Sequence, residues 1–526
     1  MTSRMPEPRH NLLVEPLIRV EVAKRELERC TLPGVLERLA QDRVAAFKGL
    51  QAHQRHAWYA FLVQLAAIAL HRTREHLTDQ REERWRELLR GLTDGRDEPW
   101  CLIVSDLAQP AFFQPPVPEG TLEGFKAPVA EPDELDILVT SRNHDVKTAR
   151  MRAATEDQWV YLLVSLQTTQ GYSGRDPSRN RGYFGVARMN KGYGNRPYVA
   201  LAPSLRWGAR FRHDVTLLLA NRATLLNAGY GWAPGGGSAL LWVEPWDGTS
   251  SLGIQECDPF VLEICRRVRL AKEGGRVCAR ATSTAVSRIA AEHLKGDTGD
   301  PWTPVDRERG AGLTVGHQGF GYELTQELLL GNKYRPGIAA QITAGGSGEV
   351  MLLASALARG QGETEGLHER VLPVPPEVSV RLGRPAEGAR LGLISRRRVD
   401  AAAMMRVDVL RPALRVLVQN GGDDPGPKVR RSLDRRMESW LQRFDAEVDA
   451  VFFENLWHDA DVDDAEGDRR WHRVLREIGQ AELEAAISSV PLPSARRYRA
   501  VAGAERRFWA LAAKHLPQDP PVGGEA

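Results

Sequence analysis

Residues 440–457, WLQRFDAEVDAVFFENLW, place Trp440, Leu441, Phe444, Val448, Val451, Phe452 and Leu456 at three- and four-residue steps. On a helix of 3.6 residues per turn that spacing makes one apolar stripe, which must be covered by other elements. From about residue 396 onward alanine, leucine, arginine and glutamate dominate, and breaks at GGDDPGP and HDADVDDAEGD separate about four such helices. The pattern predicts an all-α four-helix bundle over 396–516, followed by a disordered tail at 517–526.

The N-terminal part reads differently. After a short extended start at Leu12–Val20 the first hundred residues look mainly helical, and HQRHAWYAFLVQLAAIALHRTREHL carries Trp58, Phe61, Leu62, Leu65 and Ile68 on one face of a helix that broadens into a buried one. From Pro99 to about Leu252 short apolar runs such as CLIVSDL, DILVT and YLLVSL alternate with proline- and glycine-rich turns, as strands and loops do. TAGGSGEVMLLASALARG reads as a helix ending at Gly360, after which GQGETEGLHERVLPVPPEV returns through a glycine turn as an extended, proline-terminated segment, a protruding hairpin. The fold class is α+β: a large irregular mixed domain over 1–390 with no regular strand–helix alternation, then the bundle.

A chain of 526 residues is long enough for two or three domains, and its formal charge of +3 is too small for general affinity to polyanions. Five cysteines scattered without a Cys-x-x-Cys pair argue against a disulfide framework and a zinc ribbon, and they fit a reducing cytoplasm. The N-terminal residues lack the apolar run of a signal peptide, and the most apolar stretch, Trp58–Leu70, is too short to span a bilayer and contains Gln64. No membrane association is expected.

Local clustering is where a polyanion could be held. Between Gly171 and Arg212 stand nine basic residues, Arg175, Arg179, Arg181, Arg188, Lys191, Arg196, Arg206, Arg210 and Arg212, against the single acid Asp176. Arginine forks bind phosphate oxygens in pairs, glycines admit close backbone approach, and Tyr172, Tyr183, Phe184 and Tyr193 offer flat faces to bases. The alternative is a solvated loop whose arginines pair with acids elsewhere in the fold. Within this run Lys191-Gly192-Tyr193-Gly194-Asn195-Arg196 is either a backbone surface for a sugar-phosphate groove or a plain hairpin turn. Gln361, between Gly360 and Gly362, is either an amide tip that wedges beside a base pair or an ordinary surface turn.

Catalytic patterns are thin. APGGGSALLWVEPW lacks the Gly-Lys-Ser/Thr and GxGxxG orders, so it reads as a turn. His144 beside Asp145 suggests a general base or metal ligand, but adjacent strand residues point to opposite faces and no second histidine lies at ligand spacing. His53 and His56 lack an HExxH context and read as capping or interface residues. Gly-x-Ser-x-Gly is absent.

The order of segments HQRHAWYAFLVQLAAIAL, AFFQPP, DILVTSRNHDVKTARM, GYFGVARMNKGYGNRPYV, DPWTPV and ARGQGETEGLHER, followed by a helical C-terminus, resembles the CasA family, the large subunits of the type I-E CRISPR surveillance complex Cascade. The resemblance runs from Leu12 to Leu516. It implies a non-catalytic subunit without cofactor that inspects the protospacer-adjacent motif in a short flanking duplex, helps hold the displaced strand, and docks a helicase-nuclease effector, while guide RNA reads the target by pairing. Its partners are then guide RNA, the other Cascade subunits and target double-stranded DNA.

By that resemblance the minor-groove glycine loop falls on Gly192–Arg196, extended by Lys191. The glutamine wedge falls on Arg359–Thr364 with Gln361 at its tip, or Gly362 or Thr364 in another register, and Lys295 is the lysine finger upstream of DPWTPV. The long loop from Gln167 to Asn190, with Arg175, Arg179, Arg181, Tyr183, Phe184, Arg188 and Asn190, engages the guide's 5′ handle and neighbouring subunits. Paired cysteines found near these loops in some relatives are missing, so no structural zinc is expected. Glu363 and Glu365 either repel phosphate or orient the hairpin, and Arg430, Arg431, Arg435 and Arg436 either touch the displaced strand or are solvated. Two rival readings stay open: a metal-dependent nuclease using His144 and Asp145, and a free-standing RNA-binding protein.

Overall fold

The computed structural model describes residues 10–22, 26–77, 80–136, 154–169, 196–282, 284–342, 350–359, 364–419, 427–460, 462–492 and 494–516, the side chains of 359, 364–365 and 427–433 excepted. It divides into two compact units. The first takes residues 1–319, 333–341 and 348–374, and the second 320–332, 342–347 and 375–526. The boundary therefore falls between Val374 and Pro375, ahead of the expected 390, where Pro375 and Pro376 end a strand and open a helix.

The first unit is built around a helix with no polar side along most of its length. Of the helices α1 (Leu32–Ala40), α2 (Arg55–Thr73) and α3 (Glu82–Gly91), α2 buries every residue from Ala57 to Leu70. An all-round apolar helix must be the centre of a layer stack. It is wrapped by α4 (Glu156–Thr168), α5 (Trp207–Asn227) and the strand Cys257–Leu262. Aromatic rings fill the gaps: Phe113 of AFFQPP stacks on Trp242 at 4.3 Å, and Trp58 meets Tyr161 edge-on at 5.1 Å.

Strands surround this core in small sheets. β1 (Ile18–Glu21) lies between β2 (Leu27–Cys30) and β3 (Ala46–Phe47), so the expected extended start is present but shifted toward Glu21. β4 (Tyr198–Ala202) is an edge strand of a separate three-stranded sheet. β5 (Ser238–Leu240) pairs in parallel with β6 (Cys257–Leu262), and β7 (Arg267–Glu273) forms a hairpin with β8 (Arg276–Thr282) through the left-handed pair Gly274-Gly275. β9 (Val305–Asp306) sits between β10 (Ala311–Gly312) and β11 (Tyr334–Arg335). β12 (Val350–Arg359) pairs antiparallel with β13 (Thr364–Val374) on one side and with β4 on the other.

Two local readings are corrected. The expected helix ending at Gly360 is the strand β12: VMLLASALA is apolar on both faces because it is the middle strand, and periodicity alone does not separate that from a buried helix. The expected strand YLLVSL lies inside α4. Thr155 and Gln158 form a capping box that starts this helix, with the Thr155 N–H donating to Gln158 Oε1 at 2.9 Å. CLIVSDL makes only a bridge from Cys101 to Asn11 and is otherwise irregular. β13 is the extended, proline-terminated segment expected, and it pairs with β12 where a helix was expected.

The second unit is helical: α6 (Tyr322–Leu330), α7 (Pro376–Leu382), α8 (Pro385–Met404), α9 (Arg411–Val418), α10 (Pro427–His458), α11 (Asp464–Ser489) and α12 (Ser494–His515). α8 and α9 join through a π-helical turn at Met405–Leu410, which precedes Pro412, a residue with no N–H to give. On α10 Leu441, Phe444, Val448, Phe452 and Leu456 are buried, as their spacing requires. The acidic break after His458 separates α10 from α11. Its Asp459 turns inward to bind Arg398 at 2.7 Å, and the Trp471 indole N–H donates to the Arg398 carbonyl at 3.0 Å.

Candidate nucleic-acid interface

Most of the basic run, residues 170–195, lies outside the described residues, and so do Arg175, Arg179, Arg181, Tyr183, Phe184, Arg188, Asn190, Lys191, Gly192, Tyr193, Gly194 and Asn195, together with His144, Asp145, Gln361 and Gly362. The chain on either side of residues 170–195 is described, and it is fixed on both sides by buried polar side chains. At the entry, Gln167 on α4 is fully buried: its amide N–H group donates to the Phe113 and Arg266 carbonyls at 2.9 and 3.0 Å, and its oxygen accepts from the Cys265 and Arg266 N–H groups at 2.9 Å each. Every polar valence of that amide is used.

At the exit, Arg196 has left-handed backbone (φ 45°) and a buried side chain. Its guanidinium donates to Asp300 Oδ2 at 2.7 Å and to Gln64 Oε1 at 3.0 Å, and it lies 5.6 Å from the Trp302 ring. Gln64, the polar interruption in the apolar helix α2, thus receives the first described arginine of the basic run. Asp300 and Trp302 belong to DPWTPV. Asp300 also accepts the N–H groups of Trp302 and Thr303, and the Thr303 hydroxyl donates to the Pro197 carbonyl at 3.2 Å. The motif is a clamp on the chain at Arg196 and Pro197.

This corrects the reading of Arg196 as a groove contact, because its charge is spent inside the fold. Arg206 and Arg212 share Asp42 at 2.7 and 3.7 Å, and Arg210 donates to the Tyr198 hydroxyl at 2.8 Å while lying 4.4 Å over the Tyr59 ring. Arg196, Arg206 and Arg212, three of the nine basic residues, thus pair with acids elsewhere in the fold, and Arg210 is held by tyrosines. The burial that surrounds them pushes both tyrosine hydroxyls up, so neither acts as a counter-charge to Arg210. Burial, with Arg196 and then Arg210 as positive neighbours, pushes the His56 imidazole down to about 3. His56 is neutral and packs at 4.7 Å on Tyr198. His53 has a carboxylate partner remote in sequence: its Nε2 lies 2.7 Å from Asp136 Oδ1.

Lys295 is exposed on a tight turn (φ 49°, ψ 33°), with its carbonyl accepting from Gly312 at 2.9 Å. Between it and Asp300 the chain is pinned: Asp297 accepts the Tyr230 hydroxyl at 3.0 Å, and the Thr298 carbonyl accepts the Trp232 indole N–H at 3.0 Å. Asp300 follows Lys295 by five positions, at most about 18 Å of chain, so this lysine is tethered to the same clamp.

The hairpin converges on this place as well. β12 runs antiparallel to β4, and their last pair is Ser355 opposite Tyr198, two residues after Arg196. β12 continues four residues to Arg359, roughly 13 Å at strand rise, so the hairpin projects from the end of the sheet where the basic run re-enters. Register moves from Ala358↔Gly366 to Arg359↔Thr364, which leaves Glu365 as the extra residue of a bulge; bulges bend a strand and redirect the segment beyond them. Gly319 (φ 64°) lies against the imidazole of His368 on β13, where a Cβ would come within 2.4 Å of Nδ1. In the helical unit Arg435 and Arg436 are exposed on α10, while the side chains of Arg430 and Arg431 lie outside the described residues. No described helix is long and apolar enough to cross a membrane.

No protein-family model matches the sequence, and no curated protein does. Solved structures do match over almost the whole chain. Cse1 from Acidimicrobium ferrooxidans superposes with a TM-score of 0.63 at 16% identity, covering 97% of this chain and 99% of that one. CasA from Thermus thermophilus gives 0.65 at 15%, covering 96% and 100%. A chain of a CRISPR RNA-guided surveillance complex gives 0.57 at 15%, covering 96% and 99%. The α+β fold with its C-terminal helical region is shared with these proteins from end to end.

Proposed function

We propose that this chain is a CasA-type large subunit of a type I-E Cascade complex, a protein that grips and probes nucleic acid and makes or breaks no bond. One observation carries the reading: the exit of the basic run, the tether of Lys295 and the base of the β12–β13 hairpin meet at one end of one sheet. The end-to-end fold likeness supports it. In this reading Lys191–Asn195 and Lys295 approach the minor groove of the flanking duplex, the turn bearing Gln361 inserts beside the first base pair, and Arg196 acts as the loop's internal anchor. Minor-groove edges separate A·T from G·C poorly, so several flanking motifs are tolerated. Unstacking costs a few kcal/mol per step, offset by guide pairing and backbone contacts. Arg175, Arg179, Arg181 and Arg188 face guide RNA and neighbouring subunits, the helical unit holds the displaced strand, and a helicase-nuclease docks on the assembled particle in the cytoplasm.

The test is gel-shift binding of target duplexes with varied flanks by the complex reconstituted with guide RNA. Gln361→Ala and Gly194→Asp are expected to lower affinity and to alter flank preference. Wild-type behaviour of both variants on both measures would reject the assignment.

A further inference from the structure

α12 carries six Arg or Lys residues and one acid, Glu505. Its buried residues, Ala500, Ala504, Phe508 and Ala512, turn one side to the unit's interior. On the outward side Tyr498 is 87% exposed and Trp509 is 47% exposed. Eleven residues apart, about three turns or 16 Å, they fall on nearly the same line of the helix. Ala502 and Ala513 are exposed beside them, and Arg506, Arg499, Ala510, Arg496, Lys514 and Arg507 continue round the helix. The result is a flat alanine floor between an aromatic edge and a cationic edge.

The cations of this face differ from the arginines that tie the helices of this unit to one another. Arg390, Arg397, Arg406, Arg415 and Arg443 each hold a carboxylate at 2.8–3.1 Å. No described carboxylate pairs with Arg496, Arg499, Arg506 or Arg507. Exposed aromatic rings on one line of a helix, beside cations that no described carboxylate holds, are the elements that hold a single strand: rings stack bases, and arginines track phosphates.

We infer that the outward face of α12 binds single-stranded DNA, with bases on Tyr498 and Trp509 and the backbone along Arg499 and Arg506. The inference deepens the displaced-strand part of the proposed function and rests on that reading for the strand's origin. An acidic protein surface would satisfy the cations but leaves the two exposed rings without a role.

The experiment uses the full chain without guide or flanking duplex, titrated into a fluorescent 12-residue oligothymidylate and into a duplex of equal length. An oligonucleotide carrying 5-iodouracil maps contacts by photocrosslinking. Tyr498→Ala and Trp509→Ala are each expected to weaken single-strand binding about five- to hundred-fold, and crosslinks are expected at one or both rings. Arg499→Gln with Arg506→Gln lowers the salt slope by about 1.4. All four side chains are on the surface, and unchanged thermal melting confirms folding. Crosslinks confined to residues 171–212, or aromatic variants with wild-type affinity, overturn the inference. So does loss of co-sedimentation with other subunits at unchanged oligonucleotide affinity, which would make the face a protein dock. None of these outcomes bears on the flanking-duplex gel shifts, which judge the proposed function separately.

Discussion

Arg196 and Asp300 meet as an ion pair at 2.7 Å with side chains 3% and 0% exposed, and they join the basic run to the first residue of DPWTPV. Asp300 also caps two backbone N–H groups, so charge and backbone geometry depend on one carboxylate.

Removing one partner from such a pair leaves a buried charge uncompensated, a loss of about 3–5 kcal/mol. Arg196→Met is therefore expected to lower the urea midpoint of the N-terminal unit sharply. Asp300→Asn keeps an oxygen for the Trp302 and Thr303 N–H groups while removing the orphaned charge. The double variant should consequently be more stable than Arg196→Met alone, and a double-mutant cycle that gives no coupling would contradict the pairing.

The large divisions of this molecule were legible because they rest on periodicity. The α10 stripe from Leu441 to Leu456 needed only helix spacing, and the β12–β13 hairpin was marked by glycines at one end and Pro375 at the other. What failed was the choice between strand and helix for short, doubly buried runs: YLLVSL became helix through the Thr155–Gln158 cap, and VMLLASALA became strand because β4 and β13 flank it. Charge was the harder lesson. Arg196 and Arg210 look alike in a list of cations, yet their partners Asp300, Gln64, Tyr59 and Tyr198 come from distant segments. Gln64 within an apolar helix and the Asp opening DPWTPV were the available signals, since a buried polar residue implies a partner.

Gln167→Leu tests the entry anchor. The substitution fills similar space but strands two carbonyls and two N–H groups in the core. At about 1–3 kcal/mol for each unsatisfied group, partly relieved by relaxation, a loss of at least about 3 kcal/mol is expected by denaturant titration. A near-neutral result would mean that water reaches the site.

His56 gives the N-terminal unit a defined acid sensitivity. Its imidazole is pushed down to about 3 in the folded chain, chiefly by burial and then by Arg196, whereas an unfolded histidine titrates near 6.5. As pH falls through 6.5 the unfolded chain takes up a proton that the folded chain refuses, so stability is lost from that point down toward pH 3. The loss is about 2 kcal/mol by pH 5. His56→Gln abolishes this titration, and its stability should fall by that much less between pH 7 and 5; parallel curves for the two proteins would refute the assignment.

Lys295 offers the sharpest functional test, because its backbone already sits where glycine is at ease. With φ at 49° the turn tolerates Lys295→Gly without strain, so the substitution removes an exposed ammonium and little else. If the lysine meets a phosphate or groove edge in the flanking duplex, the reconstituted complex carrying Lys295→Gly should bind target several-fold more weakly, with a salt slope smaller by about 0.9. Lys295→Ala keeps the Cβ, and with it the backbone strain of the wild-type turn, while losing the same charge. Equal DNA affinities for the two variants, with higher thermal stability only for glycine, would separate the charge effect from the turn. Wild-type affinity and slope in both would remove Lys295 from the interface.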